Sequence, residues 1–304
     1  MRHALAALLA LALAGAAAAS PVDEAMFAYR AGDAEKARGI LQPAAAAGDV
    51  PAQHHLALVL EFGFARPDEA ARWYRQAADA GYAPAQNNLG ALYYEGRGVA
   101  RDHAEALRWY RAAAGAGDAN AQYNVALMLG RGEGVAAPIP AESAKWLERA
   151  AQSGTPRAQA QLGRFYLEGF GVPRDATRAV GWFRRAADAG DPWGQYWLGF
   201  TLQKGEGVKR DLNGARMSFE RAAAQGHAPA LYEVAVVYEL GLGVPANAKS
   251  ARDAYRKSAE GGERRAIERM ARLYREGGLG VKPDAKQADF WTTRAANAAE
   301  RSQP

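Results

Sequence analysis

The stretch "EGRGVARDHAE", residues 95–105, decides how the rest of the chain is read. Two glycines separated by one residue stand before an expected helix, as in a phosphate-binding loop. A dinucleotide loop needs a third glycine and a preceding strand. Here the run is Gly96-Arg97-Gly98-Val99-Ala100-Arg101, without the third glycine. The residues before it, "QNNLGALYY", carry Leu89, Leu92 and Tyr93 at helical spacing. No Gly-Lys-Ser/Thr run occurs. The element also recurs: "GRGEGV" at 130–135, "EGFGV" at 168–172, "KGEGV" at 204–208, "LGLGV" at 240–244 and "GGLGV" at 277–281. A catalytic loop is needed once or twice; a structural joint is needed in every repeat.

The period confirms repetition. Gln86, Gln122, Gln159 and Gln195 are spaced 36, 37 and 36 residues apart, and Leu231 and Ile267 continue the series at 36. Gln53 precedes Gln86 by 33, because the joint "EFGFARPDE" is short. Seven repeats therefore span 51–297, after a degenerate capping repeat over 20–50 and before a tail at 298–304. Each repeat predicts two helices, A and B. Helix A carries Leu89-Gly90, Leu162-Gly163 or Leu198-Gly199. Glycine inside a helix costs about 1 kcal/mol against alanine, so its recurrence implies a neighbour too close for a side chain. Val99, Val135, Val172, Val208, Val244 and Val281 are expected to plug the joints into the core.

Helix B is expected to begin at the N-caps Asp102, Asp175, Asp211, Asn247 and Asp284. Asp102 and Glu105 have the spacing of a capping box. Aromatics follow (Trp109-Tyr110, Trp182-Phe183, Phe219, Tyr255, Trp291), then alanine pairs, a large-against-small pattern that interlocks helices. Gly81, Gly117, Gly154, Gly190 and Gly226 are placed to end helix B. No unit can bury its apolar face alone, so the units stack.

The stretch "AQNNLGALYYEGRGVARDHAEALRWYRAAAGAGDA", residues 85–119, resembles a Sel1-like repeat, a longer relative of the tetratricopeptide repeat. The resemblance covers nearly all of 51–297. It implies an all-α, right-handed superhelical α-solenoid of paired antiparallel helices. It also implies a non-catalytic scaffold or adaptor in envelope signalling or assembly, with a protein or peptide partner in a groove lined by A helices. Some secreted relatives bridge the two helices with disulfides; this chain has no cysteine.

The first residues, "MRHALAALLALALAGAAAAS", have a basic start, an apolar run and small residues. They read as a signal peptide over 1–19, cleaved after Ala19. The run is shorter than the roughly 20 residues a membrane span requires. The expected location is the periplasm or outside the cell, with no membrane span. The charge is mildly basic, 38 Lys+Arg against 33 Asp+Glu. Export argues against a nucleic-acid partner.

Residues for chemistry are scarce. Adjacent on a helix, His54 and His55 point about 100° apart and form no i,i+4 metal pair. His103 and His227 lie in separate loops, and all four are expected at the surface. The loop acids Glu95, Glu133, Glu168 and Glu206 are expected to be solvated. Some relatives of the family bind β-lactams, yet none of the seven serines has a lysine three residues on. No catalytic residue, metal ligand or cofactor is expected; an envelope enzyme or a β-lactam- or peptidoglycan-binding protein is the alternative.

Two sets of residues are candidates for partner binding. Asn88, Asn124 and Gln161 occupy a polar position two residues after the repeated glutamine, where the fifth repeat has Trp197. Four residues earlier, Trp193 replaces Pro84, Asn120 or Arg157. Trp193, Trp197 and Phe200 share one helix face, and exposed aromatics of this kind form hot spots. The competing reading folds Trp193 into the core. The second set is Arg265, Arg269 and Arg272, on one face of the last A helix. They fall in a segment, 249–276, with nine basic and five acidic residues. An acidic partner would suit them; a solvated face is the plainer reading.

Overall fold

The computed structural model describes residues 20–300. The signal peptide expected at 1–19 lies outside them, as do residues 301–304. The described residues fold into sixteen α-helices and no strand, apart from an isolated bridge between Gly278 and Val281. They form an all-α solenoid in which successive helices pack in pairs.

Two compact units divide at Pro138 and Ile139, inside the irregular joint "GVAAPIPAES". In the first unit, α1 (Pro21–Arg30) and α2 (Ala34–Ala46) precede α3 (Val50–Leu58) and α4 (Pro67–Asp79). α5 (Ala83–Glu95), α6 (His103–Gly115) and α7 (Ala119–Arg131) follow. The second unit begins with α8 (Pro140–Gln152), α9 (Pro156–Glu168), α10 (Ala176–Asp188) and α11 (Pro192–Lys204). It ends with α12 (Leu212–Ala224), α13 (Ala228–Leu240), α14 (Ala248–Glu260), α15 (Arg264–Glu276) and α16 (Ala285–Glu300). From α3 onward, odd-numbered helices are A helices and even-numbered ones are B helices.

The joints act between repeats as well as within them. Gly96 ends α5 in the left-handed conformation (φ 72°), its N–H bonded to the carbonyl of Leu92. Gly98 (φ 68°) lies against the start of α4, where a Cβ would stand 2.2 Å from the carbonyl carbon of Pro67. The same approach recurs where Gly171 meets Pro140 and Gly207 meets Ala176. At these joints the second glycine thus lets the repeat close onto the helix B before it, whereas Gly280 in the last joint meets only the Arg252 guanidinium, 3.4 Å from its would-be Cβ. The expected crowding on helix A is also present. A Cβ on Gly163 would lie 2.5 Å from the ring of Phe183, a fully buried side chain of α10.

The repeated glutamine makes the other link between consecutive helices. Nε2 of Gln53, Gln86, Gln122, Gln159 and Gln195 donates to the carbonyls of Ala45, Ala78, Ala114, Ala151 and Ala187, at 3.1 to 3.4 Å. Those carbonyls belong to the last turn of the preceding helix, where each also accepts from the N–H of the glycine that ends it (Gly48, Gly81, Gly117, Gly154 and Gly190). The glutamine is thus a second donor to the same oxygen, supplied by the next helix, and each such bond contributes about 1 kcal/mol net.

The caps follow the sequence with one correction. Asp102, Asp175, Asp211, Asn247 and Asp284 accept from amides of the first turn of helix B. The Asp102–Glu105 capping box does not close, because Glu105 turns outward and pairs with Arg108 at 2.8 Å. A neighbouring guanidinium offers the carboxylate a charge-assisted bond, which outcompetes a single amide. A helices are capped as well, by Asp49, Asp118, Asp191 and His227.

The joint valines are half-buried, and Val99 and Val244 pack against the buried core as expected. The short joint after α3 is made by a π-helical turn, Val59–Gly63, followed by Ala65 at φ 53°. This wider turn buries Glu61, which accepts from Tyr74 Oη at 2.9 Å and pairs with Arg97.

Substitution of Gly98 should separate strain from collision. Gly117 has φ 95° and open space around its would-be Cβ, so Gly117→Ala should cost about 1 kcal/mol from backbone strain alone. Gly98→Ala must also push back the α4 backbone and should cost about 3 kcal/mol. Thermal melts followed by circular dichroism check the order. Equal melting temperatures would show that the joint does not bear on the preceding repeat.

Candidate interaction face

α11 carries the aromatic candidates and separates them by environment. Proline at its first turn and the Asp191 cap start this helix. Trp193 is 47% exposed, whereas Trp197 and Phe200 are half-buried. The indole of Trp193 meets the ring of His227 at 4.4 Å, nearly perpendicular, and Tyr196 at 6.0 Å. It does not fold into the core. Trp197 stacks on the buried Phe183 at 6.0 Å and meets Phe200 edge-on at 5.6 Å. The outer indole is therefore presented by a rigid aromatic underlayer.

The arginines of α15 are largely neutralised within the chain. Arg265 donates to Glu233 at 3.0 Å and to Glu263 at 2.7 Å, and lies over the Tyr232 ring at 4.2 Å. Arg269 pairs with Glu239, which also accepts from Tyr255. Arg272 is exposed. Glu233 occupies the groove position filled by Trp197 one repeat earlier, and it is buried. Burial pushes its carboxyl above the usual carboxylate range, against the pull of Arg265. The three arginines placed on one face by the sequence thus take part, at Arg265 and Arg269, in ion pairs running from α15 to α13.

The Sel1 repeat family matches residues 29–49, 50–82, 83–118, 119–155, 156–191, 194–227, 228–263 and 264–299. The chain belongs to the Sel1 repeat family. Sel1 repeat proteins are in general protein-interaction scaffolds, and the fold is typically non-catalytic. Among solved structures, this chain is similar to a protective antigen of uropathogenic Escherichia coli with the same repeat fold (32% identity, TM-score 0.74). That match covers 93% of this chain but 61% of the antigen, so the chain spans about three fifths of its length. It is also similar to a Sel1 repeat protein from Oxalobacter formigenes (29% identity, TM-score 0.75), covering 80% of this chain and 96% of the other. A comparison with curated proteins gives no match.

Within this Sel1 repeat chain the histidines are not at the surface as the sequence suggested. His54 is buried, and His55, His103 and His227 are half-buried. Each has a packing reason. His54 fills the position held by Tyr123, Tyr196 and Tyr232 in other repeats, and lies 5.3 Å from Tyr82. His103 stacks on Tyr94 at 5.0 Å, and His227 caps α13 through Nδ1. No group of three His, Cys, Asp or Glu among the described residues is placed to hold a metal. The loop acids are paired rather than free: Glu95 with Arg97, Glu133 with Arg131, Glu168 with Arg164 and Glu206 with Arg174. No helix among the described residues is long and apolar enough to cross a membrane.

Burial of His54, reinforced by the neighbouring His55, lowers its pKa from 6.5 to about 4. Folding therefore favours the neutral ring. Its Nδ1 has no partner, and a charge there would be uncompensated. The stability contributed by this neutral site is present above pH 6.5 and is lost as the pH falls toward 4. Between pH 7 and pH 5 the loss should be about 2 kcal/mol. His54→Tyr should flatten that part of the profile, as read by urea melts at the two pH values. An unchanged difference would mean that His54 does not titrate in this range.

Proposed function

We propose that this Sel1 repeat chain is a non-catalytic scaffold or adaptor of the periplasm, binding a protein or peptide partner on the A-helix face of its second unit. Trp193, Trp197 and Phe200 form the anchor, flanked by Arg265, Arg269 and Arg272. The exposure of Trp193 carries the reading. A large apolar ring is 47% exposed where other repeats place Pro84, Asn120 or Arg157, and it rests on His227 and Tyr196. An indole held in place by neighbouring rings loses little side-chain freedom on binding, which is what makes tryptophan effective at interfaces. The leader over 1–19 supports export, and the family's general role supports a scaffold.

A photoreactive amino acid placed at Trp193 in the living host tests the proposal. Discrete adducts are expected there and not from the exposed Arg184 on helix B of the same unit. Absence of adducts at Trp193, or covalent labelling of the purified chain by a fluorescent penicillin at one serine, would overturn it.

The two tryptophans should also part company on substitution. Trp193→Ala should change stability by less than about 1 kcal/mol, as for a surface change, yet weaken partner binding by about 2 kcal/mol. Trp197→Ala removes the ring stacked on Phe183 and should cost about 2 kcal/mol of stability or more. Denaturation of the two variants beside a binding titration with the cross-linked partner gives the comparison.

A further inference from the structure

Beside the tryptophans, the second unit holds a hollow of about 450 Å³ between α11, α13 and α15. It brings together two candidates that the sequence left far apart, Phe200 and Arg265. Phe200, Tyr232, Val236 and Leu242 supply its apolar surface, and all four are half-buried. Three cations, Lys204, Arg210 and Arg265, line it against a single carboxylate, Glu233.

The charges are not equivalent. Glu233 is buried and already paired at 3.0 Å with Arg265, which it shares with Glu263, so neither side chain is free to meet a ligand. Lys204 and Arg210 are exposed and take part in no ion pair among the described residues. Arg210 is oriented nonetheless, because its Nε donates to the carbonyl of Gln203 at 3.1 Å. The ammonium of Lys204 stands 5.8 Å from the Phe200 ring. An apolar recess thus carries two exposed cations at its edge, neither held in an ion pair, with the buried Glu233 the one carboxylate that lines it.

We infer that this hollow takes a bulky apolar side chain of the partner with acidic residues beside it, so that the partner is engaged through an acidic peptide segment. The inference rests on the proposed interaction face and adds the chemistry of what binds there. Apolar contact in the recess supplies the anchor, and charge complementarity at its edge selects the sequence around it. A cationic segment meets Lys204 and Arg210 as like charges and is rejected.

The test uses the full chain and capped heptapeptides of glycine and serine with a central phenylalanine between two glutamates, labelled for fluorescence anisotropy and titrated to millimolar concentration. Three counterparts replace both glutamates by lysine, the phenylalanine by alanine, or all three by glutamate. The Glu-Phe-Glu peptide should bind at least tenfold more tightly than each, and more weakly as salt is added. A Lys204→Glu, Arg210→Glu double variant should melt like the parent and prefer the lysine peptide. Arg184→Ala, on the exposed side of α10 and away from the hollow, should leave the series unchanged. Equal binding of the four peptides would overturn the inference, as would an all-glutamate peptide binding as well as the phenylalanine one. So would an unaltered preference in the charge-reversed variant. Adducts at Trp193 in the face of such a result would leave the scaffold reading standing and remove only the acidic-anchor chemistry.

Discussion

The side-chain amide of the repeated glutamine reaches back to the last turn of the helix before it and ties five A helices to the helix that precedes each of them. A helix C-terminus has carbonyls that the helix itself satisfies poorly. Here Gln53, Gln86, Gln122, Gln159 and Gln195 add a donor from the next helix to a carbonyl that also accepts from the terminating glycine, so the end of one element is fastened to the start of another. The second glycine of four joints, Gly98, Gly134, Gly171 and Gly207, does the reciprocal task at the other end of the repeat. It lets the backbone touch the opening turn of the preceding helix B, as Gly98 does at Pro67. Neither contact is intrinsic to one repeat, which is why a single repeat has no reason to be stable alone.

On this regular frame, function is expressed through departures from the repeat. Trp193 replaces a small or polar residue and remains outside, while Glu233 replaces a polar groove residue and becomes buried beneath Arg265. Both sit at positions whose backbone geometry the repeat already fixes, but only Trp193 alters the surface, because Glu233 is buried under its partner. Fold alone names no partner. The departures are where partner chemistry is encoded.

The helical pairs, the glycine joints and the aspartate caps were legible because each is a local pattern. A cap needs an acceptor within three residues of its amide, and a joint needs glycine at a fixed offset. The exposure of Trp193 was open in the sequence, since an aromatic at that position suits a core as well as a surface. What could not be read depends on residues far apart in the chain. Arg97 meets Glu61 across 36 positions, and Arg265 meets Glu233 across 32, so neither ion pair is a local pattern. His54 looked like a surface histidine because its burial is set by Tyr74 and Tyr82 in the following helices. Its alignment with Tyr123, Tyr196 and Tyr232 was the available signal. The π turn after α3 left only the shortened joint as a trace.

Leu231 and Ile267 stand where the five earlier repeats have glutamine. A hydrogen bond fixes the direction and register of two helices, whereas an aliphatic contact is indifferent to small sliding. In the later helices of the second unit the polar fastening passes to other side chains: Tyr238 Oη donates to Glu220, Tyr255 Oη to Glu239, and Ser258 Oγ to the carbonyl of Ala228. That change of fastening begins one helix pair beyond Trp193, so the indole stands where the repeated amide stops setting the register and hydroxyls and carboxylates take over.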